Sequence, residues 1–102
     1  MISSPIETFV TEANKEYEIC SLNLPLGTWL VVGTTLAKGD IYIGYCDYTG
    51  ITRNNSDDES CTVIGLSRWG NTTITLELRT GAATSTVQAD QLYCCLKAIR
   101  IG

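Results

Sequence analysis

The chain has 102 residues, a formal net charge of −4 and 44% hydrophobic residues, which bounds it to one domain with a single core just large enough to fold unaided. Its seven basic residues stand singly, at Lys15, Lys38, Arg53, Arg68, Arg79, Lys97 and Arg100, so no basic stripe for nucleic acid is expected. No apolar run approaches the length of a membrane span and the start lacks a secretory leader's basic and apolar regions, so we expect no membrane insertion and synthesis in a cytoplasm, unless the chain is an excised fragment.

In chain order, residues 1–16 are polar, with Pro5 near the start and Ile6, Phe9 and Val10 as apolar anchors, and read as an arm or linker. Residues 17–102 read as the domain. Residues 17–24 alternate imperfectly as a strand, which Pro25-Leu26-Gly27 ends with turn chemistry. Residues 28–34, Thr-Trp-Leu-Val-Val-Gly-Thr, are β-branched and aromatic with apolar side chains on both faces, the mark of a central covered strand. Ala37-Lys38-Gly39-Asp40 reads as a hairpin turn. After it Ile41, Ile43 and Tyr45 alternate with Tyr42, Gly44 and Cys46, and Gly44 suggests a bulge or a close neighbour.

From Asp47 to Ser60 the chain is too polar for core and long enough to be a functional-loop candidate. Residues 61–67 return to strand, and Arg68-Trp69-Gly70-Asn71 is a turn carrying a tryptophan. Residues 72–80 show the clearest one-face pattern, with Ile74, Leu76 and Leu78 inward and Thr73, Thr75, Glu77 and Arg79 outward. A small-residue turn at 81–84 and a short strand over 85–89 lead to the closing segment, 92–101. There Leu92, Cys94, Leu96 and Ala98 alternate with Tyr93, Cys95, Ile99 and Ile101, apolar on both faces. At about 3.3 Å per residue an unbroken run would be longer than a typical strand, so a bend or bulge is expected within it.

Short strands punctuated by Gly, Asn and Asp turns, with no helical period, predict an all-β antiparallel β-sandwich of seven or eight strands. Three segments, 28–34, 41–46 and 92–101, ask for cover on both faces. A two-layer sandwich has one interior, so the excess apolar surface predicts self-association with closed symmetry. The interface candidates are Trp29, Tyr42, Cys95, Ile99, Arg100 and Ile101, with Arg100 also a candidate for interchain ion pairs with Glu77 or Asp90.

The run Leu24-Pro25-Leu26-Gly27-Thr28-Trp29-Leu30-Val31-Val32-Gly33 resembles the opening of C-terminal domains in bacteriophage virion proteins such as tail fibres, head fibres and baseplate receptor-binding proteins. The ending Leu96-Lys97-Ala98-Ile99-Arg100-Ile101 is similar to theirs as well. The likeness spans about 17–102. It implies a jelly roll like tumour-necrosis-factor heads, assembled as a homotrimer at a fibre tip on the virion, with other virion proteins as partners. The acidic 57–59 segment and the five cysteines depart from that pattern.

The absence of histidine removes the commonest general base and any Cys/His or Ser/His pair, so no catalytic residue and no enzyme activity is expected. Asp57-Asp58-Glu59 is better read as a solvated loop than as a carboxylate pair. Calcium at Asp47, Asn55, Asp57 and Asp58 would lack the EF-hand order, and zinc would lack Cys-x-x-Cys spacing, so neither metal nor cofactor is predicted. Cys20, Cys46, Cys61, Cys94 and Cys95 are an odd number, with two adjacent, and read as buried thiols of a reducing compartment. Disulfides, and with them a small secreted domain, remain the competing arrangement.

Binding is the function the residues favour. Trp69, with Tyr48, Asp47, Arg53 and Asn54 from the long connection, is the candidate platform for host-surface glycan, an aromatic face stacking on a sugar ring beside polar groups. The competing structural role for Trp69 is to cap the edge of the core. The expectation is thus a non-enzymatic trimeric phage structural domain that contacts glycan or decorates the particle; the alternative is a free-standing, monomeric carbohydrate-binding module.

Overall fold

Where β-branched and apolar residues alternate with polar ones the backbone extends, and the computed structural model, which describes residues 1–46, 48, 49, 52–54 and 61–102, is all-β over those residues. The strands are β1 (Ile2–Ser3), β2 (Phe9–Val10), β3 (Glu16–Leu24), β4 (Trp29–Thr35), β5 (Gly39–Gly44), β6 (Tyr48–Thr49), β7 (Thr52–Asn54), β8 (Cys61–Ser67), β9 (Thr72–Arg79), β10 (Thr86–Val87) and β11 (Cys95–Arg100). One sheet runs β1-β11-β4-β8-β6, the other β3-β9-β5-β7, and β2 and β10 form a separate ribbon. Every pairing is antiparallel.

The sets β1-β11-β4-β8 and β3-β9-β5-β7 interleave in sequence, so that β3, β4 and β5, and again β7, β8, β9 and β11, lie on alternate sheets. Consecutive long strands therefore face one another across the core instead of pairing as hairpins. Eight antiparallel strands in this order are a jelly roll. The sandwich predicted from the alternation is present, with β6 added at one edge.

Each long strand turns one face inward. Val31, Val63, Leu96 and Ala98 from the first sheet meet Ile41, Ile43, Ile74, Leu76 and Leu78 from the second, and all are buried. The sheets approach closely at Gly33, where a Cβ would lie 2.5 Å from Leu76 Cδ1 and 3.2 Å from Val63 Cγ1. A bulge between Glu18 and Cys20 on β3 lets two successive residues, Ile19 and Cys20, both turn into the core.

Two expectations need correction. The polar start is not outside the body: β1 pairs with β11, Met1 and Ala98 exchange backbone hydrogen bonds of 3.0 and 2.9 Å, and β2 pairs with β10. The closing segment is not one covered strand over 92–101. The Asp90 carbonyl accepts from Tyr93 N (3.0 Å) and Cys94 N (2.9 Å), and its carboxylate from Leu92 N (2.9 Å). This turn leaves Leu92 83% exposed and starts the strand only at Cys95. An Asp side chain that satisfies the amide two residues on competes with extension, and here it prevails.

Candidate functional site

At one end of the sandwich three segments meet: 25–28 between β3 and β4, 68–71 between β8 and β9, and the residues after β11. Their backbones are tied together. Gly27 N donates to Trp69 O (3.2 Å), Thr28 N to Gly102 O (3.1 Å), Ile101 N to Thr28 O (2.8 Å) and Thr28 Oγ1 to Arg68 O (3.1 Å). Trp29 Nε1 donates to Pro25 O at 2.9 Å, which anchors the first segment to a buried ring. Gly70 has a φ of +61°, and a Cβ there would strike the Pro25 carbonyl oxygen and lie 3.1 Å from Gly27 N. Only glycine fits that turn.

On this fixed frame the apolar side chains point outward. Trp69 is 75% exposed, Leu26 69% and Ile101 58%. Tyr45, 76% exposed and at a φ of +65°, follows the β5 terminus at the same end of the molecule. Polar groups interleave with them: Arg100 Nε donates to Gly102 O (3.2 Å), and the Asn23 amide oxygen accepts from Thr73 Oγ1 (2.5 Å). A core-capping role for Trp69 is incompatible with its exposure. Its turn is held by backbone bonds, so the ring need not pack inward to fix the loop.

The other residues expected around Trp69 are only partly brought to it. Tyr48 is in backbone register with Leu66, three positions before Trp69, and so belongs to this end. Arg53 pairs with Asp40, which pairs with Arg79, and Asn54 pairs with Gly39. That places them at the far end of the second sheet, roughly 23 Å along β9 from Thr72 at about 3.3 Å per residue. The long connection changes sheets between β6 and β7, so Leu26, Tyr45 and Ile101, and not Arg53 and Asn54, share the Trp69 end of the sandwich. Asp47, and the calcium candidates Asn55, Asp57 and Asp58, lie outside the described residues, as does Glu59. Among the described residues no cluster of three metal-ligating side chains occurs.

The interface candidates divide likewise. Trp29 is buried in the core of the single chain, and Cys95, which by register shares the outward side of β11 with Lys97 and Ile99, is also buried within it. Tyr42 lies on the outer face of the second sheet, with the Arg79 guanidinium 5.9 Å from its ring centre. Ile99 is exposed on the outer face of the first sheet and Arg100 and Ile101 stand at the tip. Of the proposed partners of Arg100, Asp90 closes the turn at the opposite end and Glu77 accepts from Thr75 Oγ1 (3.2 Å) on the other sheet.

A second concavity, about 450 Å³, lies between the polar N-terminal segment and β3, lined by Ser3, Pro5, Ile6, Glu18 and Cys20 among others. Burial pushes the Cys20 thiol up to about 11, and its Sγ faces the Ser3 carbonyl at 3.7 Å. A thiol held neutral in this way is a poor nucleophile. All five cysteines, each among the described residues, carry thiols and not disulfides. Comparison with protein-family models, with curated proteins and with solved structures finds no match for this chain.

Proposed function

We propose that this chain is a non-enzymatic β-sandwich head domain of a bacteriophage virion, assembled as a homotrimer, which contacts host-surface glycan through the Trp69 end. The observation that carries the glycan reading is the presentation of Trp69: a large aromatic side chain exposed on a turn whose backbone is fixed by Gly70 and by the Gly27–Trp69 hydrogen bond. An exposed indole carried on a fixed turn can stack on the apolar face of a pyranose without reordering the backbone, and Leu26 and Ile101 are exposed at the same end. Jelly rolls recur in viral capsid and lectin domains, a fold-level analogy that supports the virion reading together with the resemblance in segments 24–33 and 96–101.

The test is a glycan array probed with the intact protein and with Trp69→Ala. Binding that falls at least tenfold in the variant, with an unchanged circular dichroism spectrum, supports the reading. Equal binding by both proteins places the ligand elsewhere, and no binding by the intact protein refutes the glycan assignment.

A further inference from the structure

The Trp69 end holds a smaller concavity, about 240 Å³, lined by Asn23, Leu24, Asn71, Thr72 and Thr73. Register builds most of it: Asn23 on β3 opposes Thr73 on β9, and Leu24 opposes Thr72. Asn71, at a φ of +51° directly after Gly70 at +61°, enters from the turn that carries Trp69. Asparagine tolerates the left-handed conformation, so these two residues in succession hold the turn in shape.

The hydrogen-bonding capacity of this concavity is only partly used. Thr73 Oγ1 donates to the Asn23 amide oxygen (2.5 Å), which leaves the Asn23 N–H₂ group as donor and the Thr73 hydroxyl oxygen as acceptor. Among the described residues the amide of exposed Asn71 and the hydroxyl of Thr72 have no hydrogen-bond partner. The lining carries no ionisable side chain, and neither Arg68 nor Arg100 belongs to it.

We infer that this concavity is a subsite for an uncharged sugar ring, adjoining Trp69 in the glycan site proposed above. The inference rests on that reading and names the class of glycan, a neutral one. A sugar hydroxyl both donates and accepts, and side-chain amides and hydroxyls offer both halves of that exchange in one small space. A carboxylated or phosphorylated sugar would find no cation in this lining to replace its water. The volume lies below the ~300–1,000 Å³ of sites for drug-sized ligands, so the concavity takes one ring and the remainder of the glycan is held elsewhere. Trp69 is two residues from Asn71, at most about 7.6 Å between Cα atoms. A single oligosaccharide can therefore stack one ring on the indole and set the next against Asn71.

The experiment titrates the intact protein, Trp69→Ala, Asn71→Gly and Thr73→Val with a panel of neutral oligosaccharides and their sialylated or uronate-bearing counterparts, with thermal melts to establish folding. Asn71→Gly keeps the left-handed turn while removing the amide, and Thr73→Val keeps a β-branched shape while removing the hydroxyl. Binding of neutral sugars by the intact protein, lowered about three- to tenfold by each of these two variants, supports the inference. Binding that Trp69→Ala lowers and both concavity variants leave unchanged overturns the subsite while the Trp69 reading stands. The reverse result, loss in the concavity variants alone, overturns the shared site by taking Trp69 out of it. Preference for the charged sugars overturns the neutral class, and no binding of any sugar overturns the subsite together with the glycan reading. Should either concavity variant not fold, Asn23→Val replaces it: weakened binding supports the subsite and unchanged binding overturns it.

Discussion

Gly70→Ala is the substitution on which the account of the tip depends most directly. The residue sits at a φ of +61°, with the Pro25 carbonyl where a Cβ would go. A left-handed conformation costs a non-glycine residue about 1–2 kcal/mol. Relieving the collision by displacing backbone costs about another 1–3 kcal/mol, as overpacking does in cores. Loss of the Gly27–Trp69 hydrogen bond adds about 0.5–1.5 kcal/mol. The total, about 2.5–6.5 kcal/mol, is a large share of the ~5–15 kcal/mol that holds a small domain. At about 4–8 °C per kcal/mol for a domain of this size, the melting temperature should fall by more than about 10 °C.

Urea and thermal unfolding followed by circular dichroism read that loss, with Gly81→Ala as the internal comparison. Nothing lies within 4 Å of a Cβ at Gly81, and its φ is not in the left-handed range. That variant should be neutral or more stable by up to ~1 kcal/mol through a less flexible unfolded chain. A Gly70→Ala protein within about 1 kcal/mol of the parent, or no less stable than Gly81→Ala, would refute the claim that this turn admits only glycine.

Two further outcomes follow from buried polar groups. Thr80 is 4% exposed, and its hydroxyl shares its proton between Glu12 O (2.6 Å) and Lys15 O (3.0 Å) and accepts from Lys15 N (2.8 Å); Thr80→Val keeps the shape but strands Glu12 O and Lys15 N, while Lys15 O keeps its bond from Thr80 N (2.8 Å), and denaturant unfolding should show a loss of about 2–3 kcal/mol. Cys20 has its thiol pushed by burial from 9.0 up to about 11. The folded state therefore holds that proton more tightly than the unfolded chain does. The resulting stability is complete below about pH 9 and is lost as pH rises toward about 11. Cys20→Ala should show a shallower decline in melting temperature between pH 8.5 and ~11 than the parent, and identical slopes would show that the thiol is not held neutral by the fold.

Segment by segment, how much could be read from the sequence depended on whether a local pattern was free of competition. Residues 72–79 alternate cleanly, and Ile74, Leu76 and Leu78 are buried as that pattern requires, although Thr75, expected in solvent, is buried as well, its hydroxyl donating to Glu77. Residues 28–34 were legible as a covered strand, and β4 lies at the middle of the first sheet. Leu92 and Tyr93 misled because alternation of apolar residues reads as extension, whereas Asp90 captures their amides in a turn. Trp29, counted as spare apolar surface, is used up inside: its ring is buried and its N–H meets the Pro25 carbonyl four residues earlier.

The sequence by itself determined that the chain is all-β and antiparallel, where most of its strands lie, and that Gly, Asn and Asp turns separate them. These follow from local rules, the two-residue period of side chains on a strand and the conformations that turn residues permit. Only the tertiary structure decided that consecutive strands cross between sheets as a jelly roll, that Arg53 and Asn54 stand at the opposite end from Trp69, and that Ile64 and Ile99 share one outer face while Glu16 and Arg79 pair on the other. Those facts rest on which strands pair and in what register. Pairing joins residues up to 97 positions apart in this chain, and no local window contains both partners.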